Sequence, residues 1–253
     1  MLNRYTKNTF FILIVLLIIF LTSCNSDTSE IVEIKLLEPI AEIDLSSILS
    51  EPSGIVYNPL NNSFYVVSDT LAKIFEIDVA GNLLRSIQVN ANDLEGITLS
   101  KNLDTIYVVE ESDKLVTSFL LNGTKINSFS VNVSTNSTNG LEGITVGANN
   151  YFYVLNEKLP RYLVKLQNEV EISRTEITAA DDLSDVCYDF ILDCLWIISD
   201  ESEKIIKVSK SGLVISEWQI PFSKGEGIAI LNDKIYVVRD SNAKMYIFNK
   251  PNI

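Results

Sequence analysis

Acidic side chains recur at matching places along this chain. A glutamate stands before a Gly-Ile pair three times, at Glu95, Glu142 and Glu226. If folding gathers these carboxylates, their mutual repulsion favours a bound hard cation. Calcium suits them best, with magnesium second, because calcium takes about six to eight oxygen ligands in flexible geometry. The pattern therefore predicts a calcium site at these three glutamates.

A second set of side chains follows a short apolar run in every one of five successive segments. We expect this set to contact a ligand, together with two arginines near the ends of the same runs; its members are Asp69, Glu111, Glu157, Arg161, Asp200, Arg239 and Asp240. The alternative is structural, since acids that follow strands are often turn residues facing water, and a repeat copies them without a function. The glutamates beside glycine are the stronger candidates because they have no obvious role in a turn.

The elements that would position these acids come from one pattern written five times. Each copy opens with a small or acidic residue, then glycine, then a short apolar strand. The second residues of the five openings are Gly54, Gly96, Gly143, Asp185 and Gly227, spaced by 42, 47, 42 and 42 residues. Asp185 replaces glycine, so the fourth copy departs furthest from the pattern.

Each copy contains stretches with strand character. The second stretch starts with an aromatic residue followed by β-branched ones, as in Tyr65-Val66-Val67 and Trp196-Ile197-Ile198, which is typical of buried strands. Four antiparallel strands in a repeat of this length are the signature of a propeller blade. The sequence therefore predicts an all-β fold over residues 39–253, a five-bladed β-propeller of four-stranded antiparallel blades.

The last copy lacks a fourth strand, whereas a spare strand, Ile40–Leu45, precedes the first copy. We expect this N-terminal strand to complete the last blade and close the ring, which removes the exposed edges of an open solenoid or sandwich. In such a ring each first strand starts, and each second strand ends, on the same face. Both acidic sets are therefore expected at one mouth of the central channel.

The composition excludes several classes of chemistry. The chain has no histidine, which rules out Ser-His-Asp and Cys-His catalysis and the usual histidine zinc sites. Its net charge of −13 disfavours nucleic acid as a partner. Cys187 and Cys194 stand on adjacent predicted strands, where they form either a cross-strand disulfide or, as we favour, two buried thiols.

The N-terminus has the features of a bacterial lipoprotein leader. Two basic residues precede an apolar run from Phe10 to Leu21, which suits a signal peptide and is short of the about 20 residues of a spanning helix. The run leads into a Leu-Thr-Ser-Cys sequence that resembles a lipobox and ends at Cys24. We expect a signal peptide over 1–23, lipid on Cys24 and a tether over 24–38; the alternative is an uncleaved anchor.

The repeat openings resemble the SdiA-regulated (YjiK-like) family of bacterial β-propeller proteins. The likeness lies in the Glu-Gly-Ile openings and above all in Glu226–Ala229, followed by Ile235–Val238 and Met245–Phe248. The resemblance covers residues 40 to 250. It implies a propeller in the cell envelope and no known reaction.

Together these features predict a membrane-anchored lipoprotein of the cell envelope. We expect the outer membrane, with the protein facing the periplasm or the cell surface, because Asn25 is not the aspartate that retains lipoproteins in the inner membrane. The propeller is expected to be a monomer that binds an unidentified envelope ligand, with calcium at the channel mouth. The alternative is a calcium-dependent hydrolase resembling propeller phytases or lactonases, in which the metal activates water and a glutamate acts as base.

Overall fold

Runs of β-branched and aromatic residues separated by polar turns make this chain fold as strands. The computed structural model describes residues 35–133 and 139–251. In chain order its strands are β1 (Lys35–Leu36), β2 (Ala41–Asp44), β3 (Pro52–Asn58), β4 (Ser63–Ser68), β5 (Leu71–Asp78), β6 (Leu83–Gln88), β7 (Leu94–Leu99), β8 (Thr105–Glu110), β9 (Leu115–Leu120), β10 (Lys125–Ser130), β11 (Leu141–Val146), β12 (Phe152–Asn156), β13 (Tyr162–Gln167), β14 (Val170–Glu176), β15 (Asp185–Asp189), β16 (Cys194–Ser199), β17 (Lys204–Val208), β18 (Val214–Gln219), β19 (Gly225–Leu231), β20 (Lys234–Arg239) and β21 (Lys244–Asn249). Two 3-10 turns, Ala148–Asn150 and Asp240–Asn242, complete the described elements.

The strands form five antiparallel sheets, which are the blades of a closed ring. Blade one contains β3 to β6, blade two β7 to β10, blade three β11 to β14, blade four β15 to β18, and blade five β19 to β21 with β2. The innermost strands β3, β7, β11, β15 and β19 contact one another in this order, and β19 contacts β3. The predicted five-bladed propeller is confirmed.

The ring closes through the N-terminal strand. Strand β2 pairs antiparallel with β21, with Ala41 opposite Ile247 and Asp44 opposite Lys244, so the prediction that this strand completes blade five is also confirmed. A further strand was not foreseen: β1 pairs parallel with β18, placing Lys35 opposite Trp218. The last part of segment 24–38, assigned above to a tether, thus adds a fifth strand to the sheet of blade four.

Glycine in the repeat opening lets neighbouring innermost strands approach each other. A Cβ atom on Gly54 would lie 2.3 Å from the carbonyl oxygen of Glu95, and one on Gly96 would lie 2.4 Å from that of Glu142. No side chain fits at such distances, so the repeat uses glycine where two backbones meet. The glycine of one blade therefore lets the backbone of Glu95 or Glu142 in the next blade lie against it.

Apolar clusters fill the gaps between neighbouring blades. Three of the five aromatic residues that open the second strands, Tyr65, Tyr153 and Trp196, are among the largest fully buried side chains. Trp196 stacks on Trp218 with ring centroids 5.4 Å apart, in the cluster between blades four and five. This core holds the five blades, and hence the channel mouth, in fixed register.

Both cysteines among the described residues are free thiols. The register of β15 and β16 places Cys187 opposite Trp196 and Cys194 opposite Asp189, so the two cysteines are diagonal neighbours. Diagonal positions lie about 7–8 Å apart, which is too far for a disulfide without backbone movement.

The predicted signal peptide and Cys24 lie outside the described residues. Across the part of the chain that is described, no helix has the length and apolar character needed to cross a membrane.

Candidate functional site

Both acidic sets lie at one mouth of the central channel. This side of the ring, where β3, β7, β11, β15 and β19 begin, is called the acidic face below. A cavity of about 240 Å³ opens there. Its walls carry seven of the predicted site residues: Asp69, Glu95, Glu142, Glu157, Asp200, Glu226 and Asp240.

Two groups of carboxylates in blades two and three lie close enough to share one cation. The first group is Asp93, Glu95 and Glu111, and the second is Glu111, Glu142 and Glu157. Within each group the facing carboxylate oxygens lie within 4.8 Å of one another. Glu111 belongs to both groups and is therefore the centre of the arrangement.

This geometry revises the predicted set of metal ligands. Glu95 and Glu142 are brought together through Glu111, which sequence reasoning had placed among the ligand-contacting residues. Glu226 lies outside both groups, and the Nζ atom of Lys224 stands 3.9 Å from its carboxylate. Ring closure brings the acids of adjacent blades into contact, whereas those across the channel stay apart.

The electrostatics of the cavity penalise negative charge. Burial raises the pKa of Glu95 well above its usual value, and the nearby carboxylates of Asp69 and Glu111 add to the rise. The pKa of Glu142 is likewise raised well above its usual value, by burial and then by Glu95. Burial, with Asp93 and Glu157, raises the pKa of Glu111 to about 7. A cation among these groups would remove their repulsion and displace their protons.

Two lysines neutralise part of the negative charge of the cavity. Lys158 lies between Glu157 and Glu201, at 2.7 and 2.8 Å. Lys224 binds Asp200 at 2.8 Å. One member of the second carboxylate group, Glu157, is therefore paired with a lysine, whereas neither Lys158 nor Lys224 forms an ion pair with the first group.

Lys224 belongs to a third ring that sequence reasoning did not single out. Two positions before each repeat opening stand Glu51, Asp93, Gly140, Asp182 and Lys224. Three of these have left-handed backbone, with φ of 48° at Glu51, 55° at Asp93 and 64° at Lys224. Superposing the five copies two residues further upstream would have revealed this ring from the sequence.

Asp182 holds the mouth of blade four in shape. Its carboxylate accepts hydrogen bonds from the backbone N–H groups of Asp200, at 3.1 Å, and Glu201, at 2.9 Å. The hydroxyl of Ser184 donates to it at 3.1 Å. Because its oxygens are engaged in this way, Asp182 is a positioning residue and not a free ligand.

The two predicted arginines do not line the cavity. Arg161 lies at the rim, with its guanidinium 4.0 Å from Asp181. The guanidinium of Arg239 donates to the carbonyl of Ser223 at 2.8 Å and lies over the ring of Phe222. An anionic ligand inside the cavity would therefore meet lysine and not these arginines.

The donor set fits a hard cation. All the groups that converge in blades two and three are carboxylates, which are the ligands that calcium and magnesium prefer. One further oxygen at this mouth, Oδ1 of Asp69, is buried and has no hydrogen-bond partner among the described residues.

Comparison with solved structures shows the same architecture. Virginiamycin B lyase from Staphylococcus aureus superposes with a TM-score of 0.51 at 17% identity, covering 78% of this chain and 66% of that one. A streptogramin B lyase structure gives a TM-score of 0.50 at 16% identity, covering 84% and 73%. A chain of a nidogen/laminin complex gives 0.56 at 12% identity, covering 74% and 72%. At such identities the likeness concerns the fold.

No curated protein matches the sequence. The sequence profile of the SdiA-regulated family, in contrast, matches residues 34–252, which is the whole propeller. The repeat openings, the closed five-bladed ring and this match agree, and the chain belongs to the SdiA-regulated family.

Proposed function

We propose that this protein is a lipid-anchored binding module of the cell envelope that holds calcium at its acidic face. The observation that carries the calcium site is the pair of carboxylate groups that share Glu111. The pKa values of Glu95, Glu111 and Glu142 are raised because burial and neighbouring carboxylates disfavour their charged forms when no cation is bound. A bound calcium would keep open coordination positions toward the cavity, where an anionic or hydroxyl-rich ligand would complete its shell.

The calcium site is tested by comparing two glutamine substitutions. Glu111→Gln removes the carboxylate common to both groups, whereas Glu226→Gln removes one that lies in the same cavity but in neither group. Isothermal titration with calcium is expected to show loss of binding for the first variant and only weaker binding for the second. Equal loss in both variants, or no calcium binding by the unaltered protein, would contradict the proposal.

Anchoring rests on the lipobox-like sequence that ends at Cys24. A lipidated cysteine with several acyl chains holds a protein stably at a membrane, and the acidic propeller would then face the periplasm or the cell surface. Mass spectrometry of the N-terminal peptide is expected to find acyl chains on Cys24. The Cys24→Ser variant should appear in the aqueous fraction after detergent phase separation, and its retention in the detergent phase would argue for an uncleaved anchor.

A second candidate function is metal-dependent hydrolysis, favoured by the pKa of about 7 at Glu226, which lines the same cavity and belongs to neither metal group. A group of this kind beside a metal-bound water suits a general base. The purified protein would be screened with phosphoesters and lactones in the presence of calcium. Turnover that disappears in the Glu142→Gln variant would establish that the protein is an enzyme. Absence of turnover in the calcium-loaded protein would favour the binding module.

A further inference from the structure

The side of the ring opposite the acidic face, where β3, β7, β11, β15 and β19 end, carries an exposed apolar turn. Between β15 and β16 stand Phe190, Ile191 and Leu192, which are 65%, 77% and 45% exposed. Leu60, in the equivalent turn of blade one, is 64% exposed. Consecutive large apolar residues in water are unfavourable, and such a patch marks a surface that meets another phase or partner. This side is called the apolar face.

The turn is held rigidly by a buried carboxylate at its base. Asp189 accepts hydrogen bonds from the backbone N–H groups of Ile191 and Leu192, both at 3.0 Å. Its other oxygen accepts from Lys250 Nζ at 2.8 Å and from the indole of Trp196 at 3.3 Å. The apolar side chains are thus displayed by an ordered turn, in which the ring of Phe190 also packs edge-to-face against Tyr188.

The channel mouth on this face is also apolar. A cavity of about 290 Å³ lies at the ends of the innermost strands. Its apolar walls include Val56, Leu99, Leu103, Val146, Phe190 and Ile230. One channel therefore has a carboxylate-lined mouth and, on the other side, an apolar mouth beside the apolar turn.

The direction of β1 links this face to the N-terminal segment. Strand β18 begins at the apolar face, and β1 runs parallel to it beside its last two residues, Trp218 and Gln219, so β1 lies toward the acidic end of β18 with its N-terminal end directed toward the apolar face. Both belong to blade four, which also carries the apolar turn, and Leu213 beside the start of β18 is 71% exposed. The ten residues between Cys24 and Lys35 span at most about 36 Å.

Charge also distinguishes the two faces. The acidic face would be repelled by anionic headgroups. Beside the apolar turn, by contrast, the charges are paired: Lys250 with Asp189 and Lys210 with Asp193. Of the two faces of the described ring, the apolar face is the one that can approach a bilayer closely while the carboxylate cavity stays away from it.

We propose that the apolar turn Phe190–Leu192 inserts into the phospholipid bilayer, so that the propeller stands on the membrane with its acidic cavity turned away. This inference rests on the proposed membrane anchor and adds the orientation of the domain. Three apolar side chains at one tip bind a bilayer weakly by themselves, and a covalent anchor supplies the second signal needed for stable contact.

The test holds the propeller on vesicles by an artificial anchor. Residues 34–253 form a compact unit, and the closed ring is contained in them, so the chain from Asn25 to Ile253 is produced with a hexahistidine tag in place of Cys24. It is bound to phosphatidylcholine vesicles that contain a nickel-chelating lipid. A polarity-sensitive fluorophore is attached to Ile191→Cys or, as matched control, to Leu159→Cys, which is similarly exposed at 72% on the acidic face.

The fluorophore at position 191 is expected to shift to the blue, gain severalfold in intensity, and be quenched by nitroxide-labelled acyl chains. The fluorophore at position 159 should show none of these changes, and the unsubstituted chain corrects for labelling of Cys187 and Cys194. No change at 191, or equal changes at both positions, would overturn the proposal. The proposal would also be overturned if sedimentation without vesicles showed a dimer that Ile191→Asp dissociates, because a second copy of the chain would then cover the turn.

The nickel-chelating lipid replaces the natural anchor in this assay. This assay therefore tests only whether the turn inserts into the bilayer. Whether Cys24 carries lipid is measured separately by mass spectrometry.

Discussion

The carboxylate of Asp185 accepts a hydrogen bond at 3.0 Å from the backbone N–H of Ile228, 43 residues further along the chain and on the next blade. The N–H of Val186 donates to the same carboxylate at 2.8 Å. Burial raises the pKa of Asp185 well above its usual value, while these donors and the N–H groups of Ile144 and Ile55 oppose the rise. The one residue that breaks the glycine repeat thus ties the innermost strands of blades four and five together at the channel.

Replacing Asp185 with the glycine found at the equivalent position of the other four copies should lower the stability of the fold. Asp185→Gly would leave several buried N–H groups without an acceptor, and each unsatisfied group costs about 1–3 kcal/mol. We expect the free energy of unfolding to fall by at least about 2 kcal/mol, whereas Asp185→Asn, which keeps one acceptor oxygen, should lose less. Urea unfolding of the three proteins measures this, and a glycine variant as stable as the parent would refute the bridging role.

The raised pKa values of the cavity predict an unusual dependence of stability on pH. A carboxyl whose pKa is higher in the folded chain binds protons more tightly when folded, so stability falls as pH rises from the unfolded value of about 4.3 toward the folded value. For Glu111 and Glu226 the folded value is about 7. When a chelator keeps the protein free of metal, its melting temperature should therefore decline between about pH 5 and pH 8.

Calcium should reverse this decline at the alkaline end. A ligand at one hundred times its dissociation constant stabilises the fold by about 2.7 kcal/mol, which corresponds to a rise of roughly 5–10 °C for a domain of this size. At about pH 5 the rise should be much smaller because protons compete for the same oxygens. Thermal melts with calcium or chelator across this range supply the measurement; a calcium effect that is independent of pH would place the ion elsewhere.

Lys224 is expected to weaken calcium binding while it stabilises the calcium-free cavity. Lys224→Gln removes a positive charge that lies 2.8 Å from Asp200 and 3.9 Å from Glu226, so the cavity should attract a cation more strongly. Lys244→Gln makes the same change of net charge at a pair with Glu42 outside the cavity. Calorimetry should show tighter calcium binding only in the first variant, and an equal gain in both would point to net charge alone.

Glycines near the start of the innermost strands should tolerate substitution according to what faces them. A Cβ atom on Gly96 would meet the carbonyl oxygen of Glu142 at 2.4 Å, whereas one on Gly225 would meet only side chains of Val237 and Ile198, at 3.3–3.4 Å. Gly96→Ala is therefore expected to cost more than the about 1–3 kcal/mol typical of overpacking, and Gly225→Ala to cost little. Chemical denaturation of the pair decides this, and similar stability in both would show that the innermost strands can move apart.

Local pattern predicted the strands, the five blades and the face on which the acids lie. Tyr65 and Trp196 open buried strands because aromatic and β-branched residues favour a pleated, packed surface. The closing strand was recognisable because Ile43 and its neighbours resemble the fourth strands of other blades. The pairing of Lys35 with blade four was missed, since a two-residue strand carries no periodicity of its own.

The sequence by itself determined the number of blades, because alternation and a constant repeat length are local properties. It also determined the crowding of carboxylates at one mouth, because a ring of repeats places equivalent residues on the same face. Only the tertiary structure decided that Glu111 joins Glu95 and Glu142, that Lys224 stands by Glu226, and that Asp185 joins blades four and five. Those contacts join side chains of different blades, and their distances depend on ring closure and on the packing between sheets, which no local pattern encodes.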